Sequence, residues 1–340
     1  MPERLADHTT LRLGGPAAEW LRAETEDQLV RAVLEADAAG REVLVLGGGS
    51  NLVVADEGFS GTVVEVATRG VEPEADLCSG AVVTVAAGED WDALVAHAVD
   101  QGWVGLEALS GIPGSVGATP VQNVGAYGQE VADTIARVRV LDRAERRVRT
   151  FFPGDCGFGY RTSRFKREPG RYVVLTVTFQ LRLGDRAAPI RYAELARSLD
   201  VGLGERPPLG AVRDAVLALR SGKGMVLDAA DPDTWSAGSF FTNPVVDPAA
   251  LPDGAPSWPQ PDGRVKTSAA WLIDRAGFGK GYAGPGGRVS LSTKHTLALT
   301  NRGEARTTDL LALAREVRTG VAERFGIVLE NEPVLVGCRL

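Results

Sequence analysis

The stretch Val43-Leu44-Val45-Leu46-Gly47-Gly48-Gly49-Ser50-Asn51-Leu52-Val53-Val54-Ala55 constrains the fold more than any other part of the chain. A short buried strand runs into three consecutive glycines, and the sequence after them stays β-type, with no amphipathic helix beginning. A dinucleotide-binding Rossmann loop has to open a helix, because the helix N-terminus holds the pyrophosphate. That fold is therefore excluded. Two readings of the loop stay open: a flexible hairpin turn, or a nest of backbone N–H groups that binds a diphosphate.

A second glycine-rich segment runs from Gly111 through Ile112, Pro113, Gly114, Ser115, Gly117, Ala118, Gln122, Asn123, Gly125, Ala126 and Tyr127 to Gly128. It is either a long surface loop or backbone laid close against a flat or anionic ligand, and long loops in compact domains are usually functional. Two phosphate-compatible loops in one region point to one extended ligand.

Regular elements surround these loops. Thr25 and Gln28 have capping-box spacing, and Leu29, Val30, Val33 and Leu34 form one face of a helix that ends at Gly40. Thr62–Val66 and Ala81–Ala87 read as strands. Glu89–Gly102 reads as a helix with Trp91, Leu94, Val95, Ala98 and Val99 inward and His97 off that face, without a role. Residues 135–151 and 171–182 read as antiparallel strands, the second with strict alternation at Val173, Leu175, Val177, Phe179 and Leu181. After Pro207-Pro208 a helix buries Val212, Val216 and Leu219 and ends at Arg220 and Lys223. Ser268–Arg275 is a short helix and Thr296–Thr300 a strand. Thr308 caps a long helix with Leu310, Leu313, Val317 and Val321 on its core face.

Composition excludes several function classes. The formal charge of −7 argues against nucleic-acid binding. Cys78, Cys156 and Cys338 are odd in number, far apart and without CxxC spacing, which speaks against a disulfide framework or a zinc site and for a reducing cytoplasm. With only His8, His97 and His295, a histidine-rich metal site is not expected. Neither a run of membrane-spanning length nor a basic-then-apolar start is present, so no signal peptide or anchor is indicated.

Three further stretches carry chemistry. Ser236-Ala237-Gly238-Ser239-Phe240-Phe241-Thr242-Asn243-Pro244 offers a hydroxyl beside a glycine turn anchored by two aromatics. Alone, Ser239 could be a nucleophile, a hydrogen-bond donor or part of an ordinary turn. No histidine stands near it and Gly238-Ser239-Phe240 is not a nucleophile elbow, so a serine hydrolase is set aside. Gly159-Tyr160-Arg161-Thr162-Ser163-Arg164-Phe165-Lys166 is an aromatic and basic cluster, or else a solvated turn. In Leu329-Glu330-Asn331-Glu332-Pro333-Val334-Leu335-Val336, a strand start flanked by two carboxylates should carry at least one into a cleft.

Leu46-GGGSN-Leu52, Gly111-IPGSVGATPVQNVGAYG-Gln129, Gly159-YRTSRFK, Ala237-GSFFTNP and Leu329-ENEPV occur together and in one order. In these motifs, which span nearly the whole chain, the sequence resembles the UDP-N-acetylenolpyruvoylglucosamine reductase family. The resemblance implies an α+β chain: a vanillyl-alcohol-oxidase (PCMH-type) FAD-binding fold of two subdomains plus a third α/β substrate-binding domain. The implied boundaries are 1–67 plus 325–340, 68–205, and 206–324, with the PCMH-type region over about 14–184. It implies NADPH-dependent reduction of UDP-N-acetylglucosamine enolpyruvate to UDP-N-acetylmuramate in peptidoglycan and cell-wall synthesis. The protein would be a cytoplasmic monomer that binds a UDP-sugar, without nucleic acid, membrane or metal. The length and the place of Tyr192 suggest the longer, type-I form.

The same resemblance implies roles residue by residue. Gly47, Gly48, Gly49, Ser50, Asn51 and Leu52 would contact the FAD diphosphate. Gly111, Ile112, Pro113, Gly114, Ser115, Gly117, Ala118, Gln122, Asn123, Gly125, Ala126 and Tyr127 would line the flavin. The catalytic positions fall on Arg161, Ser239 and Glu332. Tyr192, Arg220, Lys223, Asn243 and His295, the last where some members carry glutamine, would meet substrate. The stretch from Lys223 to Ser239 is long for the family. GGGSN has no histidine to tether a flavin, so the FAD is expected to dissociate. One FAD serving NADPH and then the UDP-sugar implies ping-pong kinetics. An FAD-dependent alcohol or hydroxyacid oxidase on the same fold is the alternative, and a non-catalytic binding module leaves the three catalytic positions unexplained.

Overall fold

The computed structural model describes residues 2–76 and 80–340, so Cys78 lies outside the described residues. The chain divides into two compact units, one of Met1–Ala17, Gly49–Phe59 and Gly222–Leu340, the other of Ala18–Gly48 and Ser60–Ser221. Helices and strands mix throughout both, the α+β class expected.

In the second unit Thr25 accepts the Gln28 N–H and opens helix Glu26–Ala38, whose buried residues are Leu29, Val33 and Ala36. Strand Val43–Leu46 pairs in parallel with Phe59–Val66, and that strand also neighbours Ala17–Ala23. Only Leu46 of the first strand is fully buried, so the expectation of a buried strand holds at its last residue alone. An antiparallel sheet follows the order Arg147–Phe151, Ile135–Asp142, Tyr172–Leu183, Gly80–Ala86, Val71–Asp76. Helix Trp91–Asp100 packs Trp91, Leu94, Val95 and Ala98 into the same core as Val83, Val85 and Phe179.

The central strand departs from strict alternation. Val138 pairs with Val177 and Arg139 with Thr176, but Val140 pairs with Val174, which leaves Leu175 as an extra residue. The bulge turns the strand over. Val177, Phe179 and Leu181 enter the core around Trp91, while Val173 and Leu175 pack with Leu29, Val33, Val64 and Leu141. Each such side chain contributes roughly 2 kcal/mol on leaving water.

The first unit is built on helix Thr307–Phe325, whose Leu310, Leu313, Val317 and Val321 are fully buried with Leu11, Val53, Phe240, Phe241 and Leu272. Its start differs from the expected Thr308 cap. Asp309 accepts the Arg306 N–H at 2.9 Å, and Asp56, far away in sequence, accepts the N–H groups of Thr307 at 2.7 Å and Thr308 at 3.1 Å. A carboxylate here meets both the unpaired donors and the positive end of the helix dipole. Strand Val334–Val336 runs parallel to Leu52–Val54. The strand expected at Thr296–Thr300 is Leu299–Asn301, paired with Val289–Leu291, because residues before it turn on the Ser292 hydroxyl.

Asp56→Ala should therefore lower unfolding free energy by about 1–2 kcal/mol, read from urea titration with an unchanged m-value. A loss below about 0.5 kcal/mol would mean that water satisfies this helix end instead.

Candidate active site

The glycine loop leaves the strand at Leu46 and crosses from one compact unit to the other between Gly48 and Gly49. Its carbonyls turn into the protein: Gly49 C=O accepts the Thr10 N–H at 3.2 Å, and Asn51 C=O accepts the Val334 N–H at 2.9 Å. A Cβ on Gly48 would lie 2.6 Å from the Gly114 Cα, so the two glycine-rich segments touch through bare backbone. A Cβ on Gly49, at φ +60°, would strike the His8 carbonyl. Ser50 and Leu52 are half-buried.

The segment from Gly111 to Tyr127 is not a surface loop. Ser115, Val116, Gly117, Thr119 and Asn123 are buried, whereas Ile112, Pro113, Gly114, Gln122, Gly125, Ala126 and Tyr127 are half-buried and Ala118 is exposed. The Gly111 N–H donates to Asp92 at 2.6 Å, and Arg213 holds that carboxylate in a two-armed fork at 2.7 and 2.9 Å. Burial pushes the Asp92 carboxyl up, but the Arg213 fork, the Gly111 N–H and the charge of Arg220 together hold it below the ordinary aspartate range. Asn123 donates to Glu130 at 2.7 Å and to the Gly159 carbonyl at 3.2 Å, and accepts the Ala132 N–H at 3.2 Å. Its side chain is thus committed inside the protein, and its backbone N–H donates to Pro120 C=O at 3.4 Å.

Arg161 sits at the tip of a tight turn closed by Gly159 and Thr162, with φ +51°. A left-handed non-glycine residue costs roughly 1–2 kcal/mol and marks a side chain aimed for a purpose. Its Nη2 donates to the Gly125 carbonyl at 2.7 Å, which ties the basic cluster to the glycine-rich segment. The buried Ser163 hydroxyl donates to Val121 C=O at 2.6 Å and anchors the turn. Arg220 continues the buried stripe Val212, Val216 of helix Leu209–Gly222. Burial brings its guanidinium down to about 10, against the pull of Tyr127 and Asp92, and the charge of Arg161 adds to the lowering. It stays cationic at neutral pH. Tyr192 is 47% exposed and meets Tyr127 edge-on at 5.6 Å.

In the other unit, Gly238 has φ +72° with open space around its Cα, so it is there for backbone direction rather than close packing. Phe240 and Phe241 are buried at 1% exposure and leave Ser239 half-buried between them and Gly238. The Phe240 N–H donates to Leu297 C=O at 2.7 Å, the Glu332 N–H donates to Phe240 C=O at 2.8 Å, and the Thr242 N–H donates to Glu330 C=O at 3.0 Å. This pairing sets Glu332, half-buried, opposite Phe240, the residue after Ser239, across two antiparallel segments, and leaves Glu330 exposed. Asn243 accepts the Ala269 N–H at 3.0 Å and so opens helix Ala269–Arg275 through its carbonyl. His295 accepts the Leu297 N–H on Nδ1, and Lys223 is half-buried. The stretch from Lys223 to Ser239 is fastened by Asp231 to Lys294 and by Asp233 to Thr293 and Arg302, while Arg12 lies 3.9 Å over the Trp235 ring.

Residues 231–336 match the family model described as UDP-N-acetylenolpyruvoylglucosamine reductase, C-terminal domain, and residues 17–150 match that of an FAD binding domain. Over 337 residues the chain is 59% identical to the UDP-N-acetylenolpyruvoylglucosamine reductase of Cutibacterium acnes, an alignment covering 99% of this chain and 90% of that protein. It is 60% identical over 349 residues to that of Saccharopolyspora erythraea, covering 99% and 95%. The chain belongs to the UDP-N-acetylenolpyruvoylglucosamine reductase family. A crystal structure of the reductase from Thermus caldophilus is similar over 98% of this chain and 97% of that one, with a TM-score of 0.66 at 30% identity.

The residues present fit the FAD that this family's FAD binding domain takes. Among the described residues, no protein acceptor receives a hydrogen bond from the backbone N–H groups of Gly47, Gly48, Gly49 or Ser50. With the carbonyls turned inward and no side chains in the way, that row of donors suits a diphosphate. Sequence reasoning missed Asp92, Arg213 and Glu130, which support the lining segment from beneath. Arg213 and Asp92 are 121 residues apart, so only the fold reveals the pair.

Gly48→Ala should weaken FAD binding roughly tenfold or more, since backbone rather than a yielding side chain opposes the new methyl. Titration of apoprotein with FAD, followed by flavin fluorescence, reads it. Parent-like affinity would remove this loop from the cofactor site.

Proposed function

We propose that Arg161, Ser239 and Glu332 carry the carbon–carbon double-bond reduction catalysed by this chain. The reaction is reduction of UDP-N-acetylglucosamine enolpyruvate to UDP-N-acetylmuramate, with NADPH as reductant, for peptidoglycan precursors. FAD, when bound, accepts hydride from NADPH and supplies it to the vinyl carbon β to the substrate carboxylate. The single observation that best supports the roles is the Glu332-to-Phe240 backbone bond, which pairs Glu332 with the residue that follows Ser239.

As hydride reaches the β carbon, negative charge spreads into the substrate carboxylate and the α carbon becomes strongly basic. Arg161 offers a planar fork to that charge, and losing one such donor typically removes roughly 3–4 kcal/mol of transition-state stabilisation. Ser239 gives its proton to the α carbon, which a hydroxyl can do when the acceptor is carbanion-like and water is excluded. Phe240 and Phe241 supply the apolar footing for that exclusion. Glu332 brings a carboxyl that, when protonated, donates a hydrogen bond to the developing enolate.

Tyr192, Arg220, Lys223, Asn243 and His295 hold the UDP-sugar. Support comes from Arg220, a buried cation, and from Tyr192, an aromatic left 47% exposed. Asn243 has its carbonyl tied to Ala269, so its amide N–H groups are what it offers; His295 offers Nε2. On this reading residues 1–67 with 325–340 and residues 68–205 serve FAD, and residues 206–324 serve substrate. The protein works as a cytoplasmic monomer on small anions, and its charge of −7 speaks against nucleic acid as a partner.

Ser239→Ala should leave reduction of bound FAD by NADPH within about twofold of the parent. Anaerobic reoxidation by the enolpyruvyl UDP-sugar should slow by about a hundredfold or more in the same variant. Equal losses in both halves would make Ser239 a structural residue, and a parent enzyme that is not reoxidised would sink the whole reading.

The FAD is held without a covalent bond, since Gly47–Asn51 contains no histidine or cysteine to carry one. Acid precipitation should release the yellow colour to the supernatant. Colour retained in the washed pellet contradicts it.

A further inference from the structure

Glu107 is a carboxylate with 1% exposure that no part of the proposed chemistry uses. It stands in an apolar cluster, flanked by Val104, Ala108, Ala187 and Ile190, each at most 5% exposed. A carboxylate in such a place is costly unless hydrogen-bonded. Its oxygens accept from three separate segments: the Gly105 N–H at 2.7 Å, the Gln129 side-chain amide at 3.0 Å and the Ala188 N–H at 2.6 Å. Gln129 is itself oriented by the Ala108 N–H, which donates to its Oε1 at 2.9 Å.

Two of those segments lead to residues already given roles, Tyr127 at the flavin and Tyr192 at the substrate. Gln129 ends the glycine-rich segment two residues after Tyr127, and Ala188 lies four residues before Tyr192. The rings of Tyr127 and Tyr192 meet edge-on at 5.6 Å and 85°. A Cβ on Gly128 would lie 2.9 Å from the Arg191 Cβ, so the two segments run in contact up to their tyrosines. Farther along, the Ile190 N–H donates to Glu205 C=O at 2.9 Å, which pins the Tyr192 segment from its other side. Glu107 is the one side chain bonded to both segments among the contacts named.

We propose that Glu107 is a positioning residue that fixes where Tyr192 stands, by tying the segment before it to the end of the glycine-rich segment. The proposal rests on the reading of Tyr192 as a substrate contact. Glu107→Gln keeps the shape but cannot accept from all three donors, because its amide N–H2 must face one of them. A buried donor left unmet loosens the tie. The effect should fall on substrate capture, since Glu107 touches none of the groups assigned to proton or charge handling.

Steady-state kinetics with saturating NADPH tests this on the FAD-loaded full chain. Glu107→Gln should raise KM for the enolpyruvyl UDP-sugar about fivefold or more, with kcat and the rate of FAD reduction by NADPH within about twofold. Gln129→Met, which removes the donor to Glu107 and the acceptor for the Ala108 N–H but keeps the carboxylate, should raise the same KM about two- to threefold and serves if the first variant does not fold. Because Glu107 acts through Tyr192, Glu107→Gln combined with Tyr192→Ala should show the KM of Tyr192→Ala alone. Multiplying effects in the double variant, or a KM raised by Tyr192→Ala but unmoved by Glu107→Gln and Gln129→Met, overturns this proposal alone. A KM unmoved by Tyr192→Ala overturns the reading of Tyr192 and this proposal with it.

Discussion

The backbone pairing of the extended segment Glu330–Val336 is the constraint on which the first unit's chemistry depends. Its beginning bonds to Phe240 and Thr242, and its end runs in register beside Leu52–Val54, with Val334 opposite Leu52. One short segment therefore pairs Glu332 with Phe240, the residue after Ser239, and at the same time holds Asn51 at the end of the glycine loop. In extended backbone a slip by one residue turns every side chain to the other face, so Glu332 and Asn331 would exchange roles. What prevents the slip is apolar. Leu329 and Phe240 are buried at 0% and 1% exposure, and a shifted register would drag at least one of them out at roughly 2 kcal/mol each.

Electrostatics in the second unit answers a different difficulty. The chain is acidic overall, yet its ligands are anions, so cations have to be concentrated locally. Arg220 is placed on the buried stripe of its helix, where a valine or leucine would ordinarily stand; burial brings its guanidinium down to about 10, with Tyr127 and the Asp92 carboxylate pulling the other way. Arg161 is instead held in a strained backbone conformation and steadied by the Gly125 carbonyl. A buried cation and a strained backbone are both destabilising on their own.

The motifs were legible because their residue types are dictated locally: consecutive glycines where backbone meets backbone, a glycine at φ +72° before Ser239, two aromatics to seat it. Helices were legible for a similar reason, since Leu310, Leu313, Val317 and Val321 announce a face by spacing alone. What stayed hidden required a partner distant in sequence. The N-terminus of that long helix takes its cap from Asp56, and a threonine near the start drew the eye in the absence of that carboxylate. The turn-over at Leu175 was hidden because Val173, Val174 and Leu175 are all apolar, and a strand buried on both faces carries no period to break.

The same logic explains why Glu107 and Asp92 stayed hidden, and why the inward role of the Asn123 side chain did, although each supports a segment with a proposed role. A polar residue in an apolar stretch reads from sequence as an exposed position, because burying it unpaired would cost several kcal/mol. The inference fails when the fold supplies every partner, as it does through Gly105, Gln129 and Ala188 for Glu107, and through Glu130, Gly159 and Ala132 for Asn123. Such a network has to be complete to be tolerated, and a complete one fixes its members in a single arrangement. Segments rich in glycine cannot fix themselves, since they lack the side chains that packing would grip. Glu107 and Asn123 bond to those segments, where apolar packing has least to hold.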